Sequence, residues 1–359
     1  MRYPNSTFGV AEMKTQSGYF SNLEKCYLIA EIGVNHNGDM NLARKMIDAA
    51  KKSGADAVKF QTFTAKTLVS EGTPKVRYQE NTTSPEESHY EMIESLELKR
   101  HDHAPLKEYS ERKGLDFIST PYDIDSAQFL HEELDMKIFK VASADIVDLP
   151  LQEYIARTGK PAIVSVGMAT LGEIEEVAEI YRKFNNCNMI FLHCVSNYPC
   201  AEDSLNLEVM KTLRQAFQFP VGYSDHSVGS EAAIMSLAFG AKVIEKHFTL
   251  DKSLPGPDHQ ASSTPEEFSS LARSVRRAEQ MLGNPTKKCQ PEEWQMSQVS
   301  RKSIVLNCDI DIGSVIEQQH LTLKRPGSGF QAKELENIIG KTAMRFLKEG
   351  DQIKYGDFS

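Results

Sequence analysis

The sequence predicts an α/β fold: a (β/α)₈ barrel followed by a small, mostly-β domain. Two observations carry the barrel. Eight short apolar runs alternate with eight segments of helical period, and such alternation implies a parallel sheet. Eight units in roughly 250 residues is the size expected of a barrel of this kind. An open doubly wound sheet is the competing architecture. It is disfavoured because no Gly-x-Gly-x-x-Gly follows any strand. The third observation is that the pattern stops after Gly283-Asn284-Pro285.

Residues 1–25 are polar and turn-rich, and Phe8-Gly9-Val10 with Tyr19-Phe20 reads as a short hairpin capping the barrel floor. The first strand covers 27–34, and Asn35-His36-Asn37-Gly38-Asp39 after it is turn chemistry. A helix follows over 41–52, with Leu42, Met46, Ile47 and Ala50 on one side and Gly54 as its stop. The second strand is 57–62. A polar excursion over 66–87 and helices over 90–98 and 105–113 follow it. The remaining strand and helix pairs are 117–121 with 125–133, 138–143 with 151–157, 162–167 with 172–184, 189–194 with 207–217, 221–225 with 230–239, and 243–248 with 265–282. Residues 286–300 are polar, as in a linker, and 301–359 read as short strands and turns. The expected domains are therefore a barrel with its N-terminal cap over 1–285, the linker, and a small domain over 301–359.

Composition narrows the function classes. Hydrophobic residues make up 40% and charged residues 25%, ordinary for a globular chain. A net charge of −9 argues against general nucleic-acid binding but not against a small anion held by a local lysine cluster. The six cysteines form no Cys-x-x-Cys pair, which points to reduced thiols rather than a disulfide framework or zinc site. The N-terminus lacks the apolar core of a signal peptide, and no apolar run nears the ~20 residues needed to span a bilayer. A cytoplasmic enzyme is the expectation.

Catalytic residues of such barrels lie at the C-terminal ends of the strands. Those ends read Glu31, Lys59 with Gln61, Thr120, Lys140 with Ser143, Ser165, Tyr198, Ser224 with His226, and Glu245 with His247. Lys59 and Lys140 stand in otherwise apolar strands, where a lysine is rare unless paired. They are either structural partners of Glu31 or Glu245, or a cradle for phosphate or carboxylate assisted by the hydroxyls of Thr120, Ser143, Ser165 and Ser224. A Schiff-base lysine is a third possibility. His226 and His247 on consecutive strand ends, with Asp258 after them, suit a divalent transition metal such as Mn²⁺ better than Mg²⁺; packed core histidines are the alternative. His193 reads as core, His36 is open, and Arg325 reads as a solvated turn residue.

Several motifs in order resemble the sialic acid synthase family. They are Ala30-Glu31-Ile32-Gly33-x-Asn35-His36-x-Gly38, Val58-Lys59-Phe60-Gln61-Thr62, Ser119-Thr120-Pro121, Tyr223-Ser224-Asp225-His226, Glu245-Lys246-His247-Phe248 and Gly256-Pro257-Asp258-His259. Lys324-Arg325-Pro326-Gly327-x-Gly329 resembles that family's antifreeze-like (SAF) domain. The resemblance spans about residues 27–359 and implies a TIM barrel synthase. It implies condensation of phosphoenolpyruvate with N-acetylmannosamine to a nine-carbon 2-keto acid and phosphate. Lys59, Thr120, Lys140, Ser143, Ser165 and Ser224 would bind phosphoenolpyruvate. His226 and His247 would hold the metal, Mn²⁺ ahead of Mg²⁺. Gln61, Asp145, Tyr198 and Asp258 would contact the sugar, and Glu31 is the candidate acid/base beside the catalytic Lys59 and Lys140. The resemblance also implies a domain-swapped homodimer, in which Arg325 reaches into the partner's site. It moves Asp258 from the metal to the sugar, and no Schiff base is needed.

Two departures bear on the acceptor. Ala142-Ser143-Ala144-Asp145 stands where the family usually has Ser-Gly-Glu after its lysine, and Val195 stands where a Thr is usual. A legionaminic-type synthase using a 6-deoxy diacetamido hexose is the alternative; pseudaminic acid synthases resemble the chain less. The rival classes are a catalytically dead sugar-binding barrel and a metal-dependent hydrolase on the same fold.

Overall fold

An apolar strand buried on both faces needs helices outside it and side chains filling the space within. The computed structural model describes residues 18–359 and has that arrangement. The parallel strands are β1 (Tyr27–Gly33), β2 (Ala57–Thr62), β3 (Asp116–Pro121), β4 (Phe139–Val141), β5 (Ala162–Ser165), β6 (Met189–His193), β7 (Val221–Asp225) and β8 (Ala241–His247). Their order is β3-β2-β1-β8-β7-β6-β5-β4. β3 and β4 lie in contact and bring the two ends of that order together, without a ladder pair among the described residues.

Helices separate the strands: α1 (Met40–Lys52), α2 (Ala65–Leu68), α3 (Arg77–Thr82), α4 (His89–Ser95), α5 (Arg100–Arg112), α6 (Ile124–Gln128), α7 (Leu149–Arg157), α8 (Leu171–Lys183), α9 (Val209–Phe217), α10 (Glu231–Ala238) and α11 (Pro265–Leu282). α1 buries Ala43, Met46, Ile47 and Ala50, the i, i+3, i+4, i+7 stripe of a core-facing helix. Reciprocal caps start α8 at Thr170 with Glu173 and α11 at Thr264 with Glu267.

The barrel interior changes polarity along its axis. Ile29, Ala57, Ile118, Ile138, Ile163 and Val243 form an apolar floor together with Phe20 and Leu192. Two residues further along, on the same face of each strand, come Glu31, Lys59, Thr120, Lys140, Ser165 and Glu245, all buried. The period-2 pattern thus puts an insulating layer beneath a charged one.

Several boundaries differ from the sequence reading. Tyr19–Asn22 forms a 3-10 turn rather than a hairpin arm, because Tyr19 N–H is held by Asn188 Oδ1 at 2.9 Å and Phe20 is drawn into the floor. The other arm expected at 8–10 lies outside the described residues. The helix expected over 125–133 divides into α6 and a π turn, Phe129–Glu133. β4 stops at Val141 because Ser143–Val147 winds into a 3-10 turn. The stretch 286–300 is not plain linker: it contains α12 (Trp294–Ser300).

The chain divides into two compact units, the first ending at Gly283 and the second covering Asn284–Ser359. In the second, β9 (Ser303–Leu306) pairs antiparallel with β10 (Leu321–Lys324), Ser303 opposite Lys324. Isolated bridges and the short α13 (Leu335–Ile338) complete it around Ile304, Leu306, Ile316, Ile338 and Leu347. Among the described residues no helix is long and apolar enough to cross a membrane.

Candidate active site

The site begins with a bulge. β1 shifts register against β2 between Glu31 and Gly33, and Gly33 takes φ +54°, a conformation that favours glycine. A Cβ there would sit 2.9 Å from Glu31 Oε1, so the glycine lets the carboxylate turn back into the mouth. Glu31 Oε2 meets Lys59 Nζ at 2.6 Å, and Gln61 Nε2 donates to Glu31 Oε1 at 3.3 Å. Lys59 also donates to Thr120 Oγ1 at 3.2 Å and faces Glu245 Oε2 at 3.8 Å. Lys140 Nζ donates to Ser165 Oγ at 2.7 Å and lies 3.7 Å from Glu245 Oε1, which accepts from Ser224 Oγ at 3.0 Å.

Glu245 therefore stands between the two lysines, so both sequence alternatives are realised in one network. The lysines are paired, and they are also gathered with Thr120, Ser165 and Ser224 at a single rim. Ser143 sits slightly apart, accepting from Gly167 N–H at 3.0 Å and touching Cys194 Sγ at 3.0 Å. A Cβ on Gly167 would fall within 3.0 Å of Ser196 Oγ, Cys194 Sγ and Ser143 Oγ, so a larger residue there would displace these side chains.

Electrostatics divide the four charged groups. Burial pushes the Glu31 carboxyl up to about 7, Lys59 opposing. Burial acts the same way on Glu245, but Lys140 and Lys59 outweigh it and leave its carboxyl below the usual range. For Lys59, burial is outweighed by Glu245 and Glu31, so its ammonium is held more firmly than usual. At Lys140 burial prevails and its value falls. The network thus contains one firm carboxylate, one firm ammonium and one carboxyl that exchanges protons near neutrality.

The histidines lie on the neighbouring sector. Their ring centroids are 5.6 Å apart, and Tyr198 packs at 4.2 Å from His226 and 5.4 Å from His247. His226 Nδ1 bonds the Val195 carbonyl at 2.8 Å; a carbonyl only accepts, so the proton is on Nδ1 and the Nε2 lone pair is available. His247 Nδ1 is buried without a hydrogen-bond partner among the described residues. Burial keeps both rings neutral, His226 down to about 4 and His247 well below its ordinary value. Neutral imidazoles, one oriented by a backbone carbonyl, fit a divalent metal. The three-residue set with Asp258 is not formed: its Oδ2 lies 3.8 Å from His247 Nδ1, and no group of three such side chains converges among the described residues.

At the outer rim, burial pushes Asp258 up to about 6 and Asp145 up to about 7, Asp148 adding to the second. Asp145 Oδ2 is buried without a hydrogen-bond partner among the described residues. His193 is core, bonded to the Leu205 carbonyl at 2.7 Å. His36 is structural, accepting from Gly38 N–H at 3.0 Å. Arg325 belongs to the second unit. It is exposed, without an ion pair among the described residues, on a turn whose Pro326 carbonyl accepts from Ser303 Oγ at 2.7 Å and Gln352 Nε2 at 3.0 Å.

The sequence marks Glu245 only as a pairing option, although its spacing before His247 places it inside the barrel. Tyr78, whose ring packs tilted against Tyr198 at 5.4 Å, carries no signal in the sequence. Tyr78 sits on α3, in a polar excursion without periodicity to mark it.

The chain matches the NeuB family over residues 46–287 and the SAF domain over 301–359. It is 42% identical to the N,N'-diacetyllegionaminic acid synthase of Campylobacter jejuni over 92% of this chain and 100% of that protein. It is 44% identical to the enzyme of the same name from Legionella pneumophila, over 91% and 93% respectively. A crystal structure of N-acetylneuraminic acid (sialic acid) synthetase from Leptospira borgpetersenii, in complex with citrate, aligns with TM-score 0.69 and 36% identity. It covers 76% of this chain and 90% of that one.

Proposed function

The chain belongs to the NeuB family, and from that membership we propose that it is a nonulosonate synthase. It joins phosphoenolpyruvate to the open-chain aldehyde of an N-acyl hexosamine and, with water, yields a nine-carbon 2-keto sugar acid and phosphate. The observation that carries the reading is the pair of buried lysines bridged by Glu245 and ringed by Thr120, Ser165 and Ser224. Such a cradle suits a small polyanion, whose phosphate and carboxylate take over the charges the carboxylates now balance.

The steps follow from the residues. Lys59 and Lys140 hold the anion, with hydroxyl donors orienting it. The enol carbon attacks the aldehyde carbon and forms the new C–C bond. Water adds to the cationic C2 left behind; Glu31, with its carboxyl near 7, takes the proton from that water and returns it to the alkoxide left on the former aldehyde oxygen. The tetrahedral intermediate collapses to the ketone with cleavage of the C–O bond, the proton of its C2 hydroxyl leaving with the phosphate. A divalent metal on His226 and His247, Mn²⁺ by preference, would supply Lewis-acid polarisation of the aldehyde oxygen. Tyr198 walls the sugar end, and Gln61, Asp145 and Asp258 offer it hydrogen bonds.

For the acceptor we favour a 6-deoxy diacetamido hexose of the legionaminic type. The two relatives above carry that name, and Asp145 is shorter than the glutamate usual in sialic acid synthases. N-acetylmannosamine is the second reading, favoured by the likeness to the Leptospira synthetase. Under either reading the enzyme is a homodimer in which the second unit of one chain serves the barrel mouth of the other. The pinned, exposed turn carrying Arg325 supports this. The test is phosphate release from phosphoenolpyruvate with Mn²⁺ and each acceptor. The favoured reading expects kcat/KM at least about tenfold higher with the diacetamido sugar; a preference for N-acetylmannosamine selects the second reading.

A further inference from the structure

Asp225 and Lys246 each stand immediately before a histidine, in Ser224-Asp225-His226 and Glu245-Lys246-His247. The reaction described above uses neither. The alternation that turns Ser224, His226, Glu245 and His247 inward turns these two to the outer face of the barrel. β7 and β8 pair there with Ser224 opposite Glu245 and Asp225 opposite Lys246. The outward side chains meet: Lys246 Nζ donates to Asp225 Oδ2 at 2.6 Å, with side chains only 6% and 0% exposed.

Their other bonds converge on a single residue. Lys246 Nζ donates to the Ser227 carbonyl at 2.8 Å. Asp225 Oδ1 accepts the Ser227 N–H at 2.9 Å and its hydroxyl at 2.6 Å. Ser227 follows His226 directly, and the His226 carbonyl accepts from Cys200 N–H at 2.9 Å. The backbone just past one histidine is thus gripped by a lysine that directly precedes the other. A buried ion pair is a poor way to gain net stability, since apolar residues of the same volume often do as well. What a charged, hydrogen-bonded pair can supply is register.

We propose that the Asp225–Lys246 pair is a positioning device: it fixes the gap between His226 and His247 and thereby sets the affinity of the barrel mouth for a divalent cation. The proposal rests on the reading of the two histidines as cation ligands. Lys246 holds Ser227, which follows His226 directly, and the register sets Asp225, just before His226, opposite Lys246, just before His247. The two imidazoles are thereby tied to each other through the pair.

The test measures Mn²⁺ binding to the full chain without substrates, by the loss of free-ion magnetic resonance signal, with phosphoenolpyruvate affinity and the urea midpoint alongside. The variants are Asp225→Asn, Lys246→Met, the double D225N/K246M, Ser227→Ala and His226→Ala. Each single change in the pair is expected to weaken Mn²⁺ binding by about tenfold or more, the range seen when supporting residues of metal sites are removed. Phosphoenolpyruvate affinity should fall clearly less than Mn²⁺ affinity, because Lys59, Lys140, Thr120 and Ser165 are held by other strands and only Ser224 and Glu245 share β7 and β8 with the pair. The double variant leaves no uncompensated buried charge, so its urea midpoint should return toward that of the parent while its Mn²⁺ defect remains. Ser227→Ala, which keeps the pair and loses one bond, should show a smaller loss with an unchanged midpoint. A folded double variant with parental Mn²⁺ affinity would overturn the positioning role alone. A parent whose Mn²⁺ binding is absent, or is untouched by His226→Ala, would overturn the two-histidine reading and the proposal with it.

Discussion

Glu245 stands between two buried ammonium groups, and the charge balance of the mouth depends on it. Glu245→Gln leaves both lysines buried with Glu31, on Lys59, as the one carboxylate in contact among the described residues. Loss of a partner from a buried pair costs about 3–5 kcal/mol, so urea denaturation should show a fall of that order. Asp145 makes a prediction with a defined sign. Its folded value, about 7, lies above the ordinary 3.8, so the folded chain holds this proton more tightly than the unfolded one. The stability this confers is complete below the unfolded value and is lost as pH rises through the folded one. Asp145→Asn should therefore match the parent near pH 4. It should gain on it by at most about 1.4 kcal/mol per pH unit up to neutrality, then level off, as measured by unfolding midpoints across pH. At this scale the sequence was informative where a residue broke its context. Lys59 and Lys140 stand out because lysine is out of place in an apolar strand. Glu245 did not stand out, because a carboxylate two residues before a strand-end histidine reads as one polar residue among several; only distances make it the bridge.

At the scale of elements, period and punctuation were enough for most of the barrel. β2, β7 and α11 fall within the limits read from alternation and helical spacing. Boundaries failed where tertiary contacts override local pattern. β4 ends early because its last apolar-looking residues wind into the turn carrying Ser143 and Asp145. Tyr19 and Phe20 form a turn instead of an arm because Phe20 is more favourably placed under the barrel than in an exposed hairpin. That placement gives a test of the insulating floor. Phe20→Ala removes a fully buried ring and should lower stability by about 3–5 kcal/mol in urea. The KM for phosphoenolpyruvate should stay within about twofold, since the charged layer is anchored by the strands above. A raised KM with little loss of stability would mean that the floor supports the site directly.

The molecule as a whole is two units with different tasks. The first supplies the cradle and the histidines, and the second presents Arg325 on a pinned turn. No local pattern marked that arginine; only its motif context did, which is why the residues alone read it as solvated. If sites are shared between chains, Arg325→Ala and Lys59→Ala are each inactive alone, but a mixture allowed to exchange subunits regains activity. Up to about a quarter of parental sites would be intact at equal mixing, from random pairing in a two-chain assembly. Exchanged but inactive dimers would place each site within one chain. The central claim is that the two-lysine cradle and the two histidines together run a phosphoenolpyruvate condensation. The most direct measurement is mass spectrometry of the products after incubation with phosphoenolpyruvate, Mn²⁺ and an N-acyl hexosamine, with released phosphate counted in parallel. A nine-carbon keto acid equal to acceptor plus pyruvate is expected, formed one for one with phosphate and only when both substrates are present. Phosphoenolpyruvate left intact with every acceptor tried, or an acceptor hydrolysed without it, would contradict the account.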